Sequence, residues 1–274
     1  MTEVLVIGAA GKTGRAVTRA LVERGVGVRA AVRPGSRSLI YGDRVRAVSV
    51  ELVTGSGLEA AVAGVSAIYH LAPNVHPDEV LIATRVAESA LRQGVSRFAY
   101  HSVLHPDDAS MPHHLRKAQA ERSIRARLES ATILRPAAYL QNLEHAARQG
   151  RIEVPHSLDA PFTNVDLDDV AVVAARVLTE DGHEGATYDL AGAERMSVRD
   201  MAEVATDVLG RHVEAASMSL DDWMTGPGAD QSEQARHDLV AMFRSYDHGG
   251  LVGDPSALRQ MLGREPRTWR DVLA

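Results

Sequence analysis

The chain has 274 residues, of which 45% are hydrophobic and 24% charged, so it is long enough to fold around its own core without disulfides or a structural metal. The absence of cysteine excludes disulfide scaffolds, thiolate zinc sites and cysteine nucleophiles. A net charge of −6 without an extended basic block argues against direct binding to nucleic acid, and no apolar run is long enough to span a membrane. Residues 1–7 lack the basic region of a signal peptide, so we expect a cytoplasmic protein.

The first half of the chain alternates predicted strands and helices. A continuous apolar run at residues 4–7 predicts a buried strand, and a glycine-rich loop (residues 8–14) leads from it into an amphipathic helix that stops at Gly25. Further strands are predicted at 26–32, 46–52, 67–71, 97–102 and 132–135, and further helices at 58–63, from Pro77 onwards and at 113–128. Alternation at this spacing predicts a doubly wound α/β fold, in which a parallel sheet carries helices on both faces.

The pattern changes after about residue 150. A short strand is predicted at 162–165, followed by helices at 166–178, 198–209 and 230–243, the second of which is capped by Ser197. We therefore expect two domains. The parallel sheet occupies residues 1–150, and a smaller substrate-side lobe occupies residues 151–274, with some of its segments returning to the first domain.

The glycine-rich loop has the spacing G-x-x-G-x-x-G between a strand and an amphipathic helix, which is the context of a Rossmann dinucleotide site. There the first glycine permits a tight turn, the second lets the pyrophosphate approach the backbone, and the third lets the helix pack closely. The phosphates then meet backbone amides at the helix N-terminus. An ordinary strand–helix turn is the alternative. The loop residues predicted to bind the cofactor are Gly8, Ala10, Gly11, Lys12, Thr13 and Gly14.

The segment after the second predicted strand indicates which dinucleotide is bound. A carboxylate about 20 residues beyond the loop would hold the ribose hydroxyls of NAD. Residues 30–37 contain no carboxylate and two arginines, Arg33 and Arg37. A guanidinium pairs well with a 2′-phosphate, so we predict NADP(H), with Arg33 as the stronger ligand and Lys12 adding charge. Arg37 is either a second ligand or a solvated surface residue.

Five motifs, in their order along the chain, resemble the NmrA-like family of atypical short-chain dehydrogenases/reductases. They are the loop at 8–14, Val32-Arg33-Pro34, residues 132–136 with Asn142, residues 162–169, and residues 262–266. The resemblance covers nearly the whole chain, and the combination is specific although no single motif is. The family includes NADPH-dependent quinone and enone reductases and also cofactor-sensing proteins that bind regulators.

The resemblance implies that the ends of the third to sixth strands line the cofactor, as the carboxyl ends of strands do in open α/β sheets. By this resemblance one group of residues lies near the adenine, a second along the ribose and phosphate, and a third near the nicotinamide ribose. Glu51 and Leu52 are the residues near the adenine, and Leu71, Ala72 and Pro73 are those along the ribose and phosphate. His101 and Ser102 are those near the nicotinamide ribose, and Pro136 lies at the end of the sixth strand.

Reductases of the wider superfamily use a Tyr-x-x-x-Lys motif, in which the ammonium lowers the phenol pKa and the phenol protonates the substrate carbonyl. Here His113 stands four residues before Lys117, which argues against ordinary carbonyl reduction. Lys117 matches the lysine common in NmrA-like proteins, and the resemblance implies a hydrogen bond to the nicotinamide ribose; an exposed surface lysine is the alternative. His113 and Tyr139 are candidate proton donors. The alternatives are an exposed histidine at the start of a helix and a tyrosine that packs in the core or lines the substrate pocket.

Four histidines lie close together in the sequence, at His101, His105, His113 and His114. The pair with i, i+4 spacing, His101 and His105, spans a strand end and Pro106, so helical metal-ligand geometry is not expected. We predict no metal site.

Two functions fit these features. The first is an NADPH-dependent oxidoreductase that transfers a hydride to a small quinone-like or conjugated carbonyl acceptor. An enolate or quinol anion can be protonated later, so such a site does not need the tyrosine. The second is a non-catalytic NADP(H)-sensing regulatory protein that binds a protein partner. A sugar-nucleotide epimerase is disfavoured because those enzymes rely on the tyrosine. The oligomeric state is not specified by the sequence.

Overall fold

A computed structural model of the protein describes residues 3–35 and 42–274. The strands, in chain order, are β1 (Glu3–Ile7), β2 (Gly27–Val32), β3 (Val45–Ser49), β4 (Ala67–His70), β5 (Arg97–His101), β6 (Thr132–Pro136), β7 (Arg151–Val154), β8 (Thr187–Leu190) and β9 (Glu214–Ser217). The helices are α1 (Lys12–Glu23), α2 (Leu58–Val62), α3 (Glu79–Arg92), α4 (Pro112–Arg125), α5 (Glu144–Gln149), α6 (Leu167–Thr179), α7 (Val198–Leu209), α8 (Leu220–Thr225), α9 (Glu233–Gly249), α10 (Ser256–Leu262) and α11 (Trp269–Leu273).

The larger sheet has the strand order β3-β2-β1-β4-β5-β6-β8. Its paired strands from β1 to β6 run parallel, which confirms the predicted doubly wound α/β fold. The chain winds outward from β1 to β3 and then returns to the other side of β1 at β4. Ligands of such sheets bind at the carboxyl ends of the strands beside this reversal, so the topology predicts a ligand site at the loops that follow β1 and β4.

The local sequence accounts for the helices that flank the strands. In α1 the buried residues Ala16, Val17, Ala20 and Leu21 recur at helical spacing, and Gly25 follows the helix with a φ of 77°. At α7 the predicted cap is observed, because Ser197 and Asp200 form a reciprocal capping box.

One predicted strand is wrong. Residues 162–165 form isolated bridges instead of a regular strand, with Phe162 bridging to Met196 and Leu251, and Val165 bridging to Tyr139. The apolar content of this segment reflects burial alone. The strands β7, β8 and β9 were not expected, because four-residue strands give too short an alternation to stand out from loops.

The distribution of contacts divides the chain into two compact units. The first consists of residues up to Pro106, Arg116–Arg135 and Val170–Tyr188. Its core includes Ile68, Phe98 and Tyr100 from the sheet, which pack with apolar residues of α2, α3 and α4.

The second unit consists of Asp107–Leu115, Pro136–Asp169 and Asp189–Ala274. It contains the two-stranded sheet of β7 and β9 and a core around Trp269, whose indole Nε1 donates to the carbonyl of Met201 at 2.8 Å. None of the helices in the described ranges combines the length and apolar character needed to cross a membrane.

Candidate active site

Two glycines of the loop are required by the fold itself. Gly8 has a φ of 79°, a left-handed conformation that favours glycine, and a Cβ there would lie 2.8 Å from the carbonyl oxygen of Leu71. A Cβ on Gly14 would lie 2.1 Å from the carbonyl oxygen of Gly8, so any side chain would push α1 away from the loop. These contacts hold the end of β1, the start of α1 and the residue after β4 close together.

Gly11 differs from both, because the protein gives no steric reason for a glycine there. It is exposed, its backbone is extended (φ −77°, ψ 169°), and a Cβ would meet only the Gly8 carbonyl oxygen, at an ordinary 3.5 Å. Gly11 is also the N-cap residue of α1, where no side chain caps the helix, and the first turn carries no acidic residue. The open surface and the positive end of the helix dipole fit a dinucleotide phosphate that approaches the backbone. Around it, Ala10 and Lys12 are exposed and Thr13 is buried.

Arg33 follows β2 directly and is exposed. It makes no hydrogen bond or ion pair with any other residue in the described part of the chain, so its guanidinium is available to an anion. Arg37, the other predicted ligand of the 2′-phosphate, lies outside the described residues.

The loop after β3 is held by the protein's own polar contacts, and the loop after β4 begins with packed residues. The Glu51 carboxylate accepts a hydrogen bond from the Val53 amide at 3.0 Å, and Arg85 of α3 donates to the carbonyl of Leu52 at 3.0 Å. Glu51 and Leu52 therefore lie in a fixed turn. After β4, Leu71 packs beside Gly8, Ala72 is buried and Pro73 is exposed.

Lys117 is buried, which excludes the surface-lysine alternative. Only 9% of the residue is exposed, and its ammonium donates to Glu79 Oε1 and to the carbonyl oxygen of His101, both at 3.0 Å. The ammonium also lies 5.1 Å from the centroid of the Tyr100 ring. We refer to Glu79, Tyr100 and Lys117 as the lysine cluster.

Glu79 was missed by the sequence analysis. Its carboxylate is buried and accepts a second hydrogen bond at Oε1, from the Tyr100 hydroxyl at 2.6 Å. Burial, followed by the charge and hydrogen bond of Glu79, raises the pKa of Tyr100 well above its ordinary value, so the phenol stays protonated. The available signal was periodicity: Glu79 falls on the buried stripe of α3 with Ile82, Ala83 and Val86, where a carboxylate needs a partner.

A second buried pair lies on the opposite face of the sheet. The Tyr69 hydroxyl is 2.5 Å from Nδ1 of His101, and alternation along β4 and β5 places both on the face away from His70 and Tyr100. Burial, and then the positive charge of Lys117, lowers the pKa of His101 to about 3. His101 is therefore neutral near pH 7, and its backbone carbonyl is what holds Lys117.

Ser102 is also engaged by the protein. Its hydroxyl donates to Glu121, and the same carboxylate forms an ion pair with Arg135, whose Nε lies 3.0 Å from Oε1. The predicted nicotinamide end of the site is thus bordered by side chains that are already fixed.

The remaining candidates belong to the second unit. His113 stands one turn before Lys117 on α4. It is half-buried, whereas the alternative was an exposed histidine, and its ring centroid lies 4.4 Å from that of His114. Tyr139 is half-buried and bridges to Val165. Pro136 ends β6 and is buried. Across the described residues, no group of three or more His, Asp or Glu side chains is arranged to hold a metal ion.

The chain matches the NmrA-like family over residues 1–270. It belongs to this family, as the motifs predicted. It is 28% identical to a (4-alkanoyl-5-oxo-2,5-dihydrofuran-3-yl)methyl phosphate reductase of Streptomyces griseus, over 99% of this chain and 96% of that protein. It is 26% identical to an NAD(P)H azoreductase of Xenophilus azovorans, over 98% of this chain and 96% of that protein. The NADPH complex of an NADPH-dependent quinone oxidoreductase from Escherichia coli shares the fold, with a TM-score of 0.83 at 22% identity over 98% of both chains.

Proposed function

We propose that this protein is an NADPH-dependent reductase of a small conjugated or quinone-like acceptor. The observation that carries the proposal is Lys117, a buried ammonium fixed at the carboxyl end of β5 with no tyrosine four residues before it. The chemistry supplied by the bound dinucleotide is delivery of a hydride, two electrons and one proton, to an acceptor that takes its second proton from solvent.

The glycine-rich loop and Arg33 would hold the cofactor. Gly11 leaves space for the pyrophosphate at the start of α1, and Arg33 supplies a guanidinium for the 2′-phosphate. Lys12 adds positive charge beside the loop. The strand-end residues would line the rest of the cofactor, in the order Glu51, Leu52, Leu71, Ala72, Pro73, His101, Ser102 and Pro136.

Lys117 would orient the nicotinamide ribose and place positive charge near the acceptor oxygen. A conjugated ketone or quinone accepts hydride to give an anion that this charge stabilises, so a strong acid is not required. In this proposal Tyr139 is a wall of the substrate pocket or a proton donor, and His113 is a lesser donor. The substrate is a small molecule in this proposal, as the names of the relatives suggest.

The relatives favour this proposal over the sensor hypothesis, because two relatives matched over 96% of their length are named as a reductase and an azoreductase, and the Escherichia coli structure as a quinone oxidoreductase. The decisive experiment follows NADPH oxidation at 340 nm with a panel of quinones, enones and saturated ketones. We expect turnover with quinones or enones and little with saturated ketones. Tight NADPH binding without turnover of any acceptor would transfer the support to the sensor hypothesis.

A further inference from the structure

Lysine is rare in this chain. Of the 30 basic residues, 28 are arginines, and the two lysines are Lys12 and Lys117. The ammonium of Lys117 is compact and carries three donors, whereas a guanidinium is planar and larger.

The protein occupies two of the three ammonium donors of Lys117. One N–H bond points to Glu79 Oε1 and one to the His101 carbonyl oxygen, and within residues 3–35 and 42–274 the ammonium has no third hydrogen-bond partner. One donor is therefore left for a ligand, and its direction is set by the two that are held.

We infer that Glu79 is a positioning residue of the site: it compensates the charge of buried Lys117 and fixes its ammonium so that one N–H bond remains for the nicotinamide ribose or the acceptor. The inference rests on the proposed function for the identity of that ligand. Glu79 acts through Lys117 and needs no contact with substrate.

The other groups around Lys117 do not compensate its charge. Burial lowers the pKa of His70 and of His101 to about 3, so both are neutral near pH 7, and the raised pKa of Tyr100 keeps its phenol neutral. Glu121, one turn further along α4, is committed to Arg135 and Ser102. Among the described residues, the counter-charge in hydrogen-bond contact with Lys117 is Glu79.

Tyr100 supports this arrangement from the sheet. Its hydroxyl donates to the same Oε1 that accepts from Lys117, and its ring lies beneath the ammonium. The hydrogen bond restricts the rotamer of Glu79 and the ring contact restricts the ammonium of Lys117, so the two charged groups are held together.

The two-lysine composition gives a direct test that does not depend on turnover. Protein labelled with 15N-lysine should show one ammonium signal from each lysine, and Lys12→Arg assigns them. We expect the buried Lys117 ammonium to exchange slowly and to shift when NADP+ is added. In Glu79→Gln this signal should broaden or disappear. Glu121→Gln removes a comparably buried carboxylate and should leave it in place.

Steady-state kinetics provide the second readout. Glu79→Gln should lower kcat by about tenfold or more while the KM for NADPH changes by less than about threefold, because phosphate and adenine contacts supply most of the affinity. Glu79→Asp keeps the negative charge, so its kcat should lie between those of Glu79→Gln and the unmodified protein. Glu88→Gln removes a partly exposed carboxylate of the same helix, paired with Arg127, and should leave kcat unchanged.

If Glu79→Gln does not fold, Tyr100→Phe keeps the ion pair but removes the hydroxyl that holds Glu79, and should shift the Lys117 signal and lower kcat by a smaller factor. An unchanged Lys117 signal and kcat in a folded Glu79→Gln protein would overturn the inference. The NMR comparison of Glu79→Gln with the unmodified protein tests the inference even if the unmodified protein reduces no acceptor. Absence of turnover would count against the proposed function alone.

Discussion

The glycine-rich loop and the lysine cluster lie in the same unit but present their functional groups in opposite ways. The loop offers open backbone at Gly11 and exposed side chains, and its form comes from glycines within seven consecutive residues. The lysine cluster is buried, and Lys117 and Glu79 are 38 residues apart in the chain. The loop is set by local backbone geometry, whereas the cluster exists only once α3, β5 and α4 have packed.

Under the proposed function, this difference should separate cofactor binding from turnover. A substitution at exposed Gly11 should change the surface that contacts the cofactor and leave the core packing unchanged. A substitution in the lysine cluster should disturb a buried charge and the packing of the core around it. Substitutions at Gly11 should therefore act mainly on cofactor affinity, whereas those in the lysine cluster should act mainly on kcat and on the free energy of unfolding.

The largest effect on cofactor affinity is expected at Gly11. Gly11→Val should reduce NADPH affinity at least about a hundredfold, or 2.7 kcal/mol, because its methyl groups would occupy the space left for the pyrophosphate. The fold should persist, since a Cβ there meets only the Gly8 carbonyl oxygen at 3.5 Å. Calorimetric titration with NADPH and thermal unfolding measure the two quantities.

Gly14→Ala is the matched control in the same loop. Its Cβ would lie 2.1 Å from the Gly8 carbonyl oxygen, so here we expect a loss of folded protein or a markedly lower Tm. If Gly11→Val bound NADPH normally while folded, the loop would not be the phosphate site.

Lys117→Ala should lower kcat by about 10²-fold while weakening NADPH binding less than tenfold, because positioning and charge act mainly in the transition state. It should also destabilise the fold by about 3–5 kcal/mol, since the buried Glu79 carboxylate loses its counter-charge. Adding Glu79→Gln to Lys117→Ala should restore stability without restoring turnover. Recovery of both would mean that Lys117 is structural only.

The sequence predicted the loop better than the cluster for a physical reason. The loop is predicted from the local spacing of Gly8, Gly11 and Gly14, which a single sequence displays, and the parallel sheet is predicted from the alternation of strands and helices. Lys117 was identified through its motif, but its partner Glu79 could not be paired with it, because periodicity reports that a residue is buried and not what it faces. The bridges of Phe162 were likewise mistaken for a strand, since burial without regular pairing looks the same in a sequence.

The acid side of the stability profile should depend on His70, which lies beside the lysine cluster. It is fully buried, neither ring nitrogen has a hydrogen-bond partner among the described residues, and its ring stacks on Tyr100 at 5.5 Å. Burial lowers its pKa to about 3, whereas a histidine of the unfolded chain titrates near pH 6.5. Between these values the unfolded chain binds more protons, so this contribution is complete above about pH 6.5 and is lost as the pH falls towards 3.

His70→Phe removes this titration and keeps the ring stack. The unmodified protein should lose about 2 kcal/mol more stability than the variant between pH 7 and pH 5, in chemical denaturation at both values. Each protein at pH 7 serves as its own reference. Equal losses in the two proteins would contradict a neutral, buried His70.

Arg33→Ala should weaken NADPH binding about tenfold, or 1.4 kcal/mol, and leave NADH binding unchanged, because the guanidinium is assigned to the 2′-phosphate. Arg44→Ala provides the control, since this exposed arginine precedes β3 and so lies at the amino end of the strands, whereas Arg33 lies at the carboxyl end; Arg44 donates to the Gly25 carbonyl oxygen. An equal loss of NADH affinity in Arg33→Ala would remove the 2′-phosphate assignment.

The smallest effect is expected at His113. If it were the obligatory acid, His113→Ala would cost roughly 10²–10⁴-fold in kcat. We expect less than tenfold, because a quinol or enolate anion can take its proton from water, and part of that loss should come from packing against His114. His113→Gln keeps a polar side chain but cannot act as an acid near neutral pH, so the two variants should behave alike in kcat across pH 6–8. A loss of 10²-fold or more in both variants, together with a nearly silent Lys117→Ala, would reverse the roles assigned to the two side chains on α4.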